Sequence, residues 1–173
     1  MGTGKTMRSD LVVLVNERDE EIGVMEKMEA HRLGKLHRAF SVFLFDREGR
    51  VLLQRRALGK YHSPGLWSNA CCSHPRPGET VPAAAARRMQ EELGAGCDLA
   101  ESFSFVYHAH LENGLQEHEY DHVLLGSFSG ELRPDPAEVM SVRWISAQEL
   151  GEEIAAHPTY FTPWLRICWP QVT

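Results

Sequence analysis

From Leu11 the chain reads LVVLVN, a short continuous apolar run that ends in the polar string NERDEE. A run this short, closed by charges, predicts a buried strand, with residues 22–26 as its hairpin partner. EAHRLGKLHRAF, which contains Gly34, reads as a loop with a helical start. SVFLFD and VLLQRR then flank REGR, the pattern of a β-hairpin. Residues 59–79 are rich in Gly, Ser and Pro, hold two cysteines and two histidines, and read as a loop. TVPAAAARRMQEELG follows, with Thr80 as N-cap, Pro82 in the first turn and Gly94 closing the helix. Its small residues 83–86 suit close packing on a sheet. FSFVYHAH (103–110), EYDHVLLGSFSG (119–130) and EVMSVRWIS (138–146) read as strands, and 147–156 and 161–169 as helices. Strands, one central helix, more strands and terminal helices predict an α+β fold: a mixed β-sheet packed between helices. The expected organisation is one domain over residues 10–173 behind a flexible tail, 1–9. GTGKT at 2–6 lacks the first glycine of GxxxxGK[ST] and any preceding strand, so it is not read as a phosphate loop.

Composition narrows the class. With 173 residues, 43% of them hydrophobic, the chain can build one core, is too short for a TIM barrel and is not disordered throughout. Acidic residues outnumber basic ones 24 to 18, for a net charge of -6. That argues against a general nucleic-acid binder, which needs a basic face, while leaving room for a small basic pocket. No apolar run reaches the length of a transmembrane helix, so no membrane partner is expected. The start, MGTGKTMRSD, has no apolar stretch behind its charges and does not read as a secretory signal. Cys71, Cys72, Cys97 and Cys168 suggest no disulfide framework, since adjacent cysteines rarely bridge each other, and a reducing cytoplasm is the expected location.

The polar residues that can carry chemistry are unevenly spread. His31 and His37 bracket a glycine loop, and His74 follows Cys72 by two. Glu117 and Glu119, two apart on a strand, point to one face. Three imidazoles and two carboxylates form a donor set suited to Zn²⁺, Mn²⁺ or Mg²⁺, octahedral if all five bind. The same residues also fit solvated loop histidines and a polar strand face. In NACCSHP, a cysteine beside histidines can have a shifted pKa and act as nucleophile or proton donor, or be a buried free thiol. Cys72, nearer His74, is the better candidate; in an extended segment Cys71 points the other way. Arg87–Glu91 and Arg88–Glu92 are spaced as helical ion pairs. Alternatively Arg55, Arg56, Lys60 and Arg88 grip a diphosphate while Glu92 holds a bridging Mg²⁺. The aromatic residues of FTPWLRICW suit core packing, and one tryptophan lining a pocket would stabilise a cation through its ring face.

Together these segments resemble a known family. Residues 73–94 resemble a degenerate Nudix box: Glu79, Arg87, Met89, Glu91, Glu92 and Gly94 fit. Ser73 replaces the first glycine and Arg88 replaces the glutamate of the RE pair, which argues against ordinary Nudix phosphohydrolysis. AHRLGKLHRAFSVFLF, RRALGKYHSPGLWSNACCSHP, RRMQEELG, the EHE triplet at 117–119 and FTPW resemble, in order, type 1 isopentenyl-diphosphate isomerases, over roughly residues 10–169. The resemblance implies a Nudix-like fold and a carbon–carbon double-bond shift through a carbocation in isoprenoid biosynthesis. It implies that His31, His37, His74, Glu117 and Glu119 bind a divalent metal (Mn²⁺, Mg²⁺ or Zn²⁺). Cys72 would be one acid/base group and Glu119 with Tyr107 the other. Glu92 would hold a diphosphate-bridging Mg²⁺, Lys27, Arg56, Lys60 and Arg88 would contact the diphosphate, and Trp164 would face the cation. A monomer acting on a small diphosphate is expected. The competing readings are a Nudix-type diphosphate hydrolase, which gives Cys72 no role, and a metal-binding module without turnover.

Overall fold

The computed structural model describes residues 10–172; the expectations for the tail 1–9 and for GTGKT lie outside them. The elements run β1 (Leu11–Val15), β2 (Glu21–Glu26), α1 (Lys27–Leu33), β3 (His37–Phe45), β4 (Val51–Arg56), β5 (Trp67–Ser68) and β6 (Cys71–Ser73). Then follow α2 (Val81–Leu93), β7 (Leu99–His110), β8 (Gln116–Ser127), β9 (Val139–Ile145), α3 (Ala147–Ala156) and α4 (Pro163–Val172). Among the described residues the strands join one nine-stranded sheet.

β3 is its organising strand. It runs parallel to β8, with His37 opposite Glu119 and Ser41 opposite Val123. On its other side it runs antiparallel to β6, with Ser41 opposite Cys72 and Val42 opposite Cys71. β7 lies outside β8, with Tyr107 opposite Glu119. Residues opposite each other share a face of the sheet, and faces alternate along each strand. The register therefore sends His37, Ser41, Cys72, Tyr107, Glu119 and Asp121 to one face and Val42 and Cys71 to the other.

Each face has its own core. On one side Ala84, Ala85, Met89 and Leu93 of α2 cover Phe40, Val42, Leu44, Leu52 and Cys71. α2 starts where Thr80 Oγ1 accepts from the Ala83 amide at 3.3 Å and ends at Gly94, which has φ +60°. On the other side Leu165, Cys168 and Trp169 of α4 cover Phe43, Val51, Leu53 and Val123. α3 opens with a capping box between Ser146 and Glu149. The expected mixed sheet packed between helices is the observed one.

Two segments differ from the sequence reading. The loop 59–79 contains β5 and β6, which are too short to show a period of two and are strands only because β4 and β3 supply partners. The stretch expected as a loop with a helical start is a complete short helix, α1, followed directly by β3. Glu26 caps α1, accepting from the Met28 and Glu29 amides at 3.0 and 2.8 Å. Gly34 ends it at φ +67°, where a Cβ would lie 2.6 Å from Gln116 Oε1. A side chain there would meet both the strain of the left-handed region and the neighbouring strand. The glycine lets the chain turn sharply from His31 on α1 to His37 on β3.

Candidate active site

The sharp α1–β3 turn places two imidazoles side by side, with ring centroids 5.1 Å apart. His31 Nδ1 lies 2.7 Å from the Lys27 carbonyl and His37 Nδ1 2.8 Å from that of Lys35. Carbonyls only accept, so each Nδ1 carries a hydrogen, and Nε2 is the nitrogen left to ligate. Both Nε2 atoms are buried without a hydrogen-bond partner. His74, just beyond β6, completes the trio: its ring centroid is 4.9 Å from that of His37, and its Nε2 is 3.0 Å from Glu119 Oε1. Glu119 Oε1 is also 3.3 Å from His37 Nε2. One ligand atom each from His31, His37, His74 and Glu119 lies within 4.8 Å of all the others.

This group fits a divalent cation. The unpartnered buried nitrogens of His31 and His37 are costly without a ligand, and two such imidazoles with His74 and a carboxylate are an ordinary N/O donor set. Their Nδ1–H···O=C bonds are the kind that fix a ligating histidine's tautomer. Burial pushes the His74 imidazole down to about 3 despite its contact with Glu119, so it is neutral and able to ligate. Burial alone would raise the Glu119 carboxyl, but the contacts from His37 and His74 hold it well below the usual range. The bridging Mg²⁺ expected at Glu92 and the Mn²⁺, Mg²⁺ or Zn²⁺ expected at the histidines are thus two different sites, and only the second forms a ligand cluster among the described residues.

Glu117 departs from the expected five-residue set. It groups with His31 and a histidine not singled out from the sequence, His62, whose Nε2 is 2.8 Å from Glu117 Oε1. The Tyr107 phenol meets Glu117 Oε2 and, at 2.9 Å, Glu119 Oε2. One phenolic hydrogen therefore serves two carboxylate oxygens in a buried place. Asp121 follows on the same face of β8, its Oδ2 accepting from Ser41 at 2.8 Å. Burial, with the Glu119 charge second, raises its carboxyl well above the usual range.

Across the sheet, Cys72 on β6 faces the same cavity. Its Sγ is 3.0 Å from Asn69 Oδ1 and 3.6 Å from Ser41 Oγ. Asn69 cannot turn its amide round, because Nδ2 donates to the carbonyls of Val42 (2.9 Å) and Cys71 (3.1 Å). The amide oxygen therefore faces the thiol and accepts from it. Burial, then the nearby Asp121, pushes the Cys72 thiol up to about 12, so it carries its proton at neutral pH. Trp164 of α4 donates from Nε1 to Ser68 Oγ at 2.9 Å, which fixes the indole. The four cysteines are all free, as expected. Cys71 lies under α2, away from the cavity, so Cys71→Ala is expected to keep turnover within a few-fold of the parent. Steady-state kinetics check this; loss of turnover in a folded variant would mean that the thiols have been assigned the wrong way round.

The cavity holds about 380 Å³, enough for a small ligand. Lys27, Arg56, Lys60 and Arg88 all line it, with Cys72 and Trp164. Burial, then repulsion from Lys60 and Arg88, lowers Lys27, which marks a cation-crowded place that an anion would relieve. Arg56 also donates to the His62 carbonyl at 3.1 Å, and its guanidinium lies 5.2 Å from the Trp164 ring. Glu138, missed from the sequence, sits between Lys60 and Arg88, bonding the first and 3.4 Å from the second. Glu92 is not among the lining residues. It is buried beneath Arg88, accepting from it at 2.9 Å and from Gln54 at 3.3 Å. Glu79 is likewise engaged, in a two-point pair with Arg87 at 2.9 Å, which outweighs the Arg87–Glu91 contact expected from spacing.

The NUDIX domain model matches residues 35–165. The chain is 53% identical over 153 residues to the isopentenyl-diphosphate Delta-isomerase of Burkholderia multivorans, covering 88% of this chain and 87% of that protein. It is 50% identical over 163 residues to isopentenyl-diphosphate Delta-isomerase 1 of Aromatoleum aromaticum, covering 94% and 92%. A solved structure from Deinococcus radiodurans superposes with a TM-score of 0.72 at 23% identity, covering 85% of this chain and 90% of its own, a likeness of fold.

Proposed function

The chain belongs to the isopentenyl-diphosphate Delta-isomerase family of Nudix proteins, and from that premise we propose how its own residues interconvert isopentenyl and dimethylallyl diphosphates. The observation that carries the reading is a single cavity with a protonated thiol at one side and a phenol–carboxylate pair at the other. Cys72 and Glu119 stand on β6 and β8, with β3 between them. Cys72 is opposite Ser41 and Glu119 opposite His37, so their backbones stand two strand spacings (about 10 Å) apart across the sheet and four residues (about 13 Å) apart along it, which leaves room for a five-carbon chain between side chains on one face.

An unactivated double bond is a very weak base. Its protonation needs an acid held against it and a surface that tolerates a tertiary cation. In the resting protonation state Cys72 holds the proton and Glu119 is ionised. The thiol delivers its proton to the terminal alkene carbon, and the positive charge appears on the branched carbon. The Glu119–Tyr107 pair removes a proton from the neighbouring carbon on the diphosphate side. The electrons of that C–H bond close the new double bond, and the diphosphate ester stays intact in the product. The Trp164 ring faces the transient cation without bonding to it. Lys27, Arg56, Lys60 and Arg88 hold the diphosphate, binding energy remote from the reacting carbons. A divalent cation at His31, His37, His74 and Glu119 would fix Glu119 and polarise it. Glu92 would reach a Mg²⁺ on the diphosphate once Arg88 turns toward the phosphate oxygens. The free thiols fit a reducing cytoplasm. No helix among the described residues is long and apolar enough to cross a membrane.

The hydrolase alternative is weaker on the same geometry. Nudix hydrolysis needs several free carboxylates in the box, and here Arg88 fills one such position and Glu79, just before the helix, is held by Arg87. Incubation with isopentenyl diphosphate and Mg²⁺ is expected to give an allylic diphosphate with both phosphorus resonances of the diphosphate intact. Release of inorganic phosphate at the rate of substrate loss would overturn the isomerase reading.

A further inference from the structure

His62 is buried at 2% exposure, yet none of the roles above needs it. Its ring packs between two groups that those roles do need. It stacks against His31 with centroids 5.7 Å apart and meets the Trp164 ring edge-on at 5.6 Å. The backbone is clamped at this point. Arg56 donates to the His62 carbonyl, and the next residue, Ser63, donates its amide to Glu112. Ser63 also sits at φ +49°, a left-handed conformation that is costly for a non-glycine residue. A loop held in that conformation keeps the imidazole turned inward. Ser63 Oγ lies 3.3 Å from Nδ1, the side opposite Glu117, so a serine hydroxyl hydrogen on Nδ1 leaves the ring hydrogen on Nε2.

We propose that His62 is a positioning residue for the metal centre: its Nε2–H holds Glu117 Oε1 at 2.8 Å and so sets how that carboxylate is presented to a cation at His31. The inference rests on the metal reading of the His31, His37, His74 and Glu119 cluster and deepens it. With the phenol of Tyr107 at Oε2 and His62 at Oε1, Glu117 is gripped at both oxygens, and each oxygen keeps a lone pair for a metal. His31 has a single free nitrogen, Nε2, because Nδ1 is spent on the Lys27 carbonyl. It belongs to both possible ligand groups, so one imidazole cannot serve two separate cations. His62 therefore supports one centre from its second layer of contacts and does not build another centre beside it.

Three variants separate the hydrogen bond from the packing. His62→Phe keeps a ring between His31 and Trp164 but cannot donate; His62→Gln and His62→Asn can donate but carry no ring. Mn²⁺ binding to the full chain, followed by electron paramagnetic resonance without substrate, is expected to show one ion per chain. His62→Phe should weaken it by about 10–100-fold, the usual loss when a group behind a metal ligand is removed. His62→Gln or His62→Asn should recover most of the affinity, while the metal-free proteins melt close to the parent. Parent-like affinity in His62→Phe would overturn the proposal. Equal weakness in all three variants would overturn the hydrogen-bond account. Two ions in the parent and one in His62→Phe would make His62 a ligand of a separate cation, which also overturns it. No Mn²⁺ binding by the parent at any concentration would remove the metal reading itself, and this inference with it.

Discussion

Cys72→Ala and Cys72→Ser are expected to lower kcat by about 10³-fold or more, within the range that general acid–base groups contribute. The argument is local. The thiol is held by an oriented acceptor, with Asn69 fixed by two backbone carbonyls so that its oxygen takes the S–H. A serine hydroxyl preserves the shape and the contact but is a far weaker acid and gives up its proton far less readily. The fold should survive, since Cys72 is only partly buried and lies outside both core clusters. Steady-state kinetics with a melting curve test this. A folded Cys72→Ser enzyme with near-parent turnover would remove the thiol from the mechanism.

Glu119→Gln is expected to fall as far in kcat, about 10²–10⁴-fold, for two separable reasons. The substitution removes the proton acceptor, and it removes the single carboxylate from the four-residue ligand cluster. Mn²⁺ affinity should therefore drop as well. The decisive observation is turnover at saturating Mn²⁺. If the acceptor role is right, filling the site restores little activity. Recovery of parent-like kcat by excess metal would reduce Glu119 to a ligand and move the proton acceptance elsewhere.

What the sequence reveals and what it hides divide along physical lines. Alternation along a strand is a local rule, and it worked where the strand was long. Glu117 and Glu119 do share a face of β8, and the same period carries Asp121 to it. In the three residues of β6 the rule still separated Cys72 from Cys71, although β6 itself is a strand only through its pairing with β3. Helix caps are local too, so Thr80 and Gly94 bounded α2 correctly. The start of α1 escaped because its cap is a glutamate accepting from amides of the first turn ahead of it, outside the usual Ser, Thr, Asp and Asn set. His62, Asn69 and Glu138 escaped for a different reason. Each meets a partner through long-range geometry: His62 to Glu117, Asn69 to Val42, Glu138 to Lys60. No spacing in one sequence marks such pairs. The five-ligand set was legible as a group of residue types, but not that Tyr107 and His62 would grip Glu117 in a second group that shares only His31 with the other four. Nor was it legible that Glu92 would lie beneath Arg88 and not in the cavity lining.

The central claim is that a proton from Cys72 enters the substrate at its terminal alkene carbon and a different proton leaves from the carbon beyond the branch. Proton NMR of the reaction run in D₂O with Mg²⁺ and isopentenyl diphosphate tests it most directly. A thiol equilibrated with solvent carries deuterium, so the account predicts dimethylallyl diphosphate with deuterium in one methyl group, and no such product from Cys72→Ala. Dimethylallyl diphosphate formed with an undeuterated methyl from the first turnovers onward would mean that hydrogen moves within the substrate, and would contradict the two-sided acid–base mechanism.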